Sequence, residues 1–145
     1  MNTIHEDVVK KITLLQGYLK VVSDYAATPT EELLKNIEKL STMERYFILM
    51  ADEAFDINSA IAYQLGNKIP DSNRSTFYEV ATLGIITSDF AEKISLSAWT
   101  RNNLVHDYEH IQKSQIVADM KKYTELYKEY TKILIEKFVA KKDLS

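Results

Sequence analysis

Three side chains able to handle a phosphate and a proton fall within eight positions of this chain, at Arg101, His106 and Tyr108. They stand in Trp99-Thr100-Arg101-Asn102-Asn103-Leu104-Val105-His106-Asp107-Tyr108, in a chain with only three arginines and three histidines. A guanidinium presents a rigid planar fork of donors that matches phosphate oxygens. An imidazole exchanges a proton near neutral pH. Asn102 and Asn103 add amides beside them, and Tyr108 adds a phenol. The set suits phosphate binding with proton transfer beside it.

Spacing constrains how these groups work together. At about 100° per residue, Arg101 and His106 lie roughly 140° apart on an unbroken helix. Asn102 and His106, four apart, share a face. Arg101 and Tyr108 nearly align, but about 10 Å apart along the axis. One continuous helix therefore cannot aim every group at one phosphate. Either the helix ends near His106, or two protomers contribute to one cleft.

The run Arg101-Asn102-x-Leu104-Val105-His106-x-Tyr108 follows an apolar helix and precedes another long one. In that setting it resembles the Arg-x4-His-x-Tyr signature of the HEPN superfamily, specifically its HepT branch. The stretch from Glu44-Arg45-Tyr46-Phe47 to Glu53-Ala54-Phe55-Asp56-Ile57 also resembles the second helix of HepT-like proteins. The resemblance implies an all-α bundle that forms a homodimer with paired motifs at the interface. It implies a metal-independent endoribonuclease, with no cofactor, that acts as the toxin of a toxin–antitoxin pair. The 2′-hydroxyl of the RNA substrate would attack the adjacent phosphate. His106 would serve as general acid or base, Arg101 would bind phosphate, and Asn102 would hold His106 or a phosphate oxygen. Asn103 and Asp56 are candidate supporting groups, although an exposed helix face accounts more readily for Asp56. Tyr108 would be the residue to which a cognate minimal nucleotidyltransferase, the antitoxin, adds AMP. The alternative is a non-catalytic subunit that docks a nucleotidyltransferase or binds nucleotide through the same polar motif.

Other motifs carry less. His106-Asp107-Tyr108-Glu109-His110 matches the His-x-x-Glu-His zinc spacing of inverzincins. That fold is much larger and takes a further acidic ligand from well downstream, so no metal is expected. An HD-type phosphohydrolase needs two more histidines and another aspartate. No Gly-rich phosphate loop is present, which argues against a kinase or nucleotidyltransferase.

Composition sets the frame that must position the motif. The 145 residues fit one domain, spanning 1–145, long enough for a sizeable core. Three glycines and two prolines, with abundant Leu, Ile, Lys, Glu and Ala, favour helix throughout. The absence of cysteine excludes disulfides and thiolate sites. No basic leader or apolar run of ~20 residues occurs, so a cytoplasmic protein without a membrane span is expected. The net charge of −3 is unevenly placed. Residues 24–92 hold 12 acids against 5 bases, whereas residues 113–142 hold 8 lysines against 4 acids. A basic face on an acidic protein, or simply a solvated lysine-rich helix, fits this pattern.

The apolar spacing predicts an up-and-down bundle of four to five helices. Ile4, Val8, Ile12, Leu15, Leu19, Val22 and Ala26 form one stripe over residues 4–26. Gly17 within it suggests close helix contact. Thr28 reads as an N-cap with Pro29 at the first helical position and Glu31 closing a capping box. A second region runs from Leu33 to Leu65 with a break expected near Ser41-Thr42, and Gly66-Asn67 ends it. Residues 67–75 read as a loop, Thr76–Glu79 as a capping box, and Gly84 as the next stop. Ser88 or Thr87 should cap a helix that carries Phe90, Ala91, Ile94, Leu96, Ala98 and Trp99 into the motif. The last helix, over 113–140, bears Tyr123, Tyr127 and Tyr130 on an apolar stripe, suited to a core or dimer contact more than to base stacking.

Overall fold

A computed structural model describes residues 4–106 and 111–140, and every regular element among them is helical. The first helix, α1 (Glu6–Ala26), buries Val8, Ile12, Leu15 and Val22, the stripe that the spacing requires. Glu6 and Asp7 in its first turn face the positive end of the helix dipole. Gly17 does not mark a helix contact within the chain. A Cβ placed on it would meet nothing within 4 Å.

The second region divides into α2 (Thr30–Lys35) and α3 (Ile37–Gly66). Its break lies at Asn36, ahead of the Ser41-Thr42 position expected. Asn36 adopts an extended conformation (φ −123°, ψ 97°), and its side chain accepts from the Lys39 amide at 3.1 Å. A short amide that satisfies an orphan N–H favours a cap over a continued helix. Thr42 instead returns its hydroxyl to the Glu38 carbonyl at 2.8 Å inside an intact helix. The Thr28 capping box also fails to form: Pro29 itself is the N-cap of α2, with no side-chain hydrogen bond.

Helix α3 runs 30 residues and ends at Asn67, which takes the left-handed conformation (φ 51°, ψ 42°). The Asn67 and Lys68 amides then close back onto the Tyr63 and Ala62 carbonyls. Helix α4 (Asn73–Thr82) starts earlier than expected, capped reciprocally by Ser72 and Ser75. Thr76 was the expected cap; it is drawn into the core, where it donates to the Asn73 carbonyl and accepts from Asn58. Gly84, at φ 79°, allows the chain to turn after α4.

Thr87 caps α5 (Ser88–Ser95) by accepting from the Phe90 amide at 3.1 Å. The helix expected to run straight into the motif is interrupted at Leu96, and α6 covers Ser97–His106. Serines flank the interruption, and both hydroxyls donate to local carbonyls, Ser95 to Glu92 and Ser97 to Ile94. Such bonds compete with the helical ladder. The last helix, α7 (Lys113–Leu134), continues as a π-helical turn over Ile135–Ala140 where unbroken α-helix was expected.

Counting α2–α3 and α5–α6 as broken single segments gives five segments, within the four to five helices expected from the sequence. Helix α3 is its axis, packed against α1, α4 and α6, while α7 lies against α1 and α6. The core is aromatic where α3, α4 and α7 meet. Phe77 stands edge-on to Phe55, Tyr127 and Tyr130, with ring centroids 5.5–6.4 Å apart. Tyr127 and Tyr130 are fully buried, so the tyrosine stripe is core. Asn58 satisfies Tyr130 there, accepting its hydroxyl at 2.5 Å.

Candidate active site

Helix α6 sorts the motif residues onto two sides. Ser97, Thr100 and Leu104 are buried on its inner side. Trp99, Asn102, Asn103 and His106, spaced three or four apart, share the other side; all but the half-buried Asn103 are exposed. Arg101 sits between the sides and is half-buried, leaning on α3.

The register of α6 is fixed in the core. The Ser97 hydroxyl meets the Tyr127 hydroxyl at 2.9 Å and donates to the Ile94 carbonyl at 2.6 Å. One turn on, Arg101 grips α3. Its Nε donates to Asp52 Oδ1 at 2.7 Å and its Nη2 to Asp52 Oδ2 at 3.3 Å, a two-point carboxylate contact. Nη1 reaches Asn102 Oδ1 at 3.2 Å. Among the described residues these contacts take three of the five guanidinium N–H groups and leave two.

The carboxylate that holds Arg101 is Asp52, whereas Asp56, the candidate supporting group, is turned to another partner. Asp56 forms an ion pair with Lys11 on α1, and Glu53 stands 3.9 Å from the same ammonium. The bond to Asp56 holds the Lys11 pKa above its usual value, against the opposing effect of burial. Burial in turn holds the Glu53 carboxyl above the usual carboxylate range. Asp52 and Asp56 are one turn apart and line one groove with Tyr18, Leu49, Ser59 and Asn73. Their spacing puts both on one face of α3, a signal that was readable. Choosing between them required the register of α6 against α3, which the sequence does not carry.

Arg101 and Asn102 are thus brought together, while His106 ends the described part of α6 with no side-chain hydrogen bond or ion pair to any described residue. Asn102 narrows the angular gap between the other two: it holds Nη1 of Arg101 and lies one turn before His106 on the same side. Tyr108 and His110 lie outside the described residues. No helix among those described is long and apolar enough to cross a membrane.

The chain belongs to the HepT-like ribonuclease family, whose model matches residues 15–139. The tRNA nuclease HepT of Aphanizomenon flos-aquae is 28% identical over 106 residues, which are 73% of this chain and 72% of that protein. The fold is similar to that of the tri-AMPylated HEPN toxin of Shewanella oneidensis, solved in complex with its MNT antitoxin. The TM-score is 0.78 at 18% identity, covering 90% of this chain and 98% of that one. A toxin–antitoxin structure with AMP-PNP gives a TM-score of 0.78 at 17% identity and the same coverage.

Proposed function

We propose that this protein is a metal-independent endoribonuclease, the toxin of a pair whose antitoxin is a minimal nucleotidyltransferase. The observation that carries the reading is the Arg101–Asn102 arrangement: a guanidinium held by Asp52 with donors to spare, on the helix that bears His106. In the reaction, the 2′-oxygen forms a bond to phosphorus and the bond to the 5′-oxygen breaks. The products are a 2′,3′-cyclic phosphate and a free 5′-hydroxyl. His106 removes the 2′-hydroxyl proton as base or protonates the leaving oxygen as acid, a role worth about 10²–10⁴ in rate. Arg101 binds the phosphate and stabilises the additional charge of the transition state.

The homodimer is part of the proposal. Trp99 is 69% exposed and Val105 43%, both on the helix that carries the site. Large apolar groups beside Asn102 and His106 suit a second copy of α6, which would bring two motifs to one cleft. Tyr108 is the AMP acceptor in this reading, since a bulky anionic adduct two residues from His106 would block RNA and occupy Arg101.

The test is incubation of purified protein with total tRNA, the substrate class in the name of the 28% identical relative. Cleavage leaving cyclic phosphate ends in the presence of a chelator is expected. Absence of cleavage, together with tight binding to a nucleotidyltransferase, would favour the non-catalytic subunit instead.

A further inference from the structure

We infer that Asp52 is a positioning residue for RNA cleavage, clamping one edge of Arg101 so that the opposite edge faces the scissile phosphate. The inference rests on the ribonuclease reading above. An arginine has two bidentate edges: Nε with one Nη, and the outer pair of Nη groups. Asp52 occupies the first, through Nε at 2.7 Å and Nη2 at 3.3 Å. Asn102 takes one N–H of Nη1 at 3.2 Å. The two N–H groups that no described residue takes belong one to each Nη.

The location argues against a purely structural ion pair. The Asp52 side chain is 42% exposed and that of Arg101 21%, so solvent screens the pair and limits what it adds to stability. An arginine free to swing would lose orientation at the moment the phosphorane charge develops. Asp52 removes that freedom before substrate arrives, and preorganised donors are the ones that act on the transition state. A carboxylate beside a phosphate-binding arginine would also weaken ground-state attraction to RNA. The clamp therefore acts on turnover more than on binding.

Asp52→Ala, Asp52→Asn and Asp52→Glu are compared with wild type in single-turnover and steady-state cleavage of tRNA. The chain's net charge is controlled by Asp24→Ala, which breaks only an exposed pair with Lys20. For Asp52→Ala, kcat should fall about 10²-fold, the scale of a misplaced catalytic contact, with KM unchanged or lower. Asp52→Asn, which keeps one acceptor, should fall between, and Asp24→Ala should match wild type. The Arg101 Nε–H resonance should exchange slowly in wild type, where Nε donates to Asp52, and broaden or vanish in Asp52→Ala while circular dichroism is unchanged. If Asp52→Ala does not fold, the isosteric Asp52→Asn decides the question by the same split. Full kcat in both variants, or a loss confined to KM, would overturn the assignment. Failure of the wild-type chain to cleave any RNA would instead remove the ribonuclease reading, and the clamp with it.

Discussion

Ser97 and Tyr127, thirty residues apart in sequence, share a 2.9 Å hydroxyl–hydroxyl hydrogen bond in the core where α6 begins. The bond joins the short helix of the site to the longest stretch of α7. Its two ends are not equivalent. Ser97 also donates to Ile94, so Tyr127→Phe leaves the serine partnered. Ser97→Ala strands a fully buried phenol. Tyr127→Phe should therefore cost about 1 kcal/mol of unfolding free energy, and Ser97→Ala about 1–3 kcal/mol. Urea titration of the two variants measures the difference, and equal losses would contradict the asymmetry.

The same core predicts alkaline unfolding. Burial raises the pKa of Tyr127 and of Tyr130 above the ordinary value of 10.0, although Ser97 opposes the shift for Tyr127. In the unfolded chain both phenols ionise near pH 10, while in the folded core they stay protonated. Above pH 10 the unfolded state holds fewer protons. The stability these groups contribute is thus complete below pH 10 and is lost as pH rises toward their folded-state values. Each costs about 1.4 kcal/mol per pH unit in that window. Tyrosinate absorbance should appear together with loss of helix, and Tyr127→Phe should flatten the pH dependence above 10 even though it weakens the protein at neutral pH.

Gly17 offers a gain. It lies mid-helix on an exposed part of α1 with open space around it. Gly17→Ala should stabilise the fold by about 1 kcal/mol through helix propensity. For a domain of this size that is a rise of about 3 °C in Tm. Calorimetry checks it, and a lower Tm would mean that an oligomeric neighbour packs closely there.

Much of this architecture was legible in advance because buried positions repeat at helical spacing. Val8, Ile12, Leu15 and Val22 declare α1, and Ile116, Met120, Tyr123, Tyr127 and Tyr130 declare α7. Helix boundaries were harder, since they turn on competition among short polar side chains. Ser72 outcompetes Thr76 because Thr76 is needed by Asn58, a contact across 18 residues. Arg101 and His106 were readable as candidates through their resemblance to the Arg-x4-His-x-Tyr signature. The identity of Asp52 was not, because two carboxylates one turn apart present the same pattern and only the docking of α6 on α3 separates them.

Substitutions at His106 and Tyr108 separate catalysis from control. His106 is exposed and its side chain makes no hydrogen bond to any described residue, so His106→Ala should leave melting temperature within experimental error. If it transfers the proton, the same substitution should lower cleavage by about 10²–10⁴ and abolish toxicity in cells. A packing role predicts the reverse: a lower melting temperature, with activity proportional to folded protein. Tyr108→Phe keeps the ring and removes only the hydroxyl that would accept AMP. It should retain most of the cleavage and escape neutralisation, so that cells stay poisoned when the nucleotidyltransferase is co-expressed. Mass spectrometry of the co-expressed proteins should find AMP on wild type and none on the variant. A chelator should change neither chain's activity. Loss with chelator and recovery with zinc would point instead to a metal shared by His106 and His110.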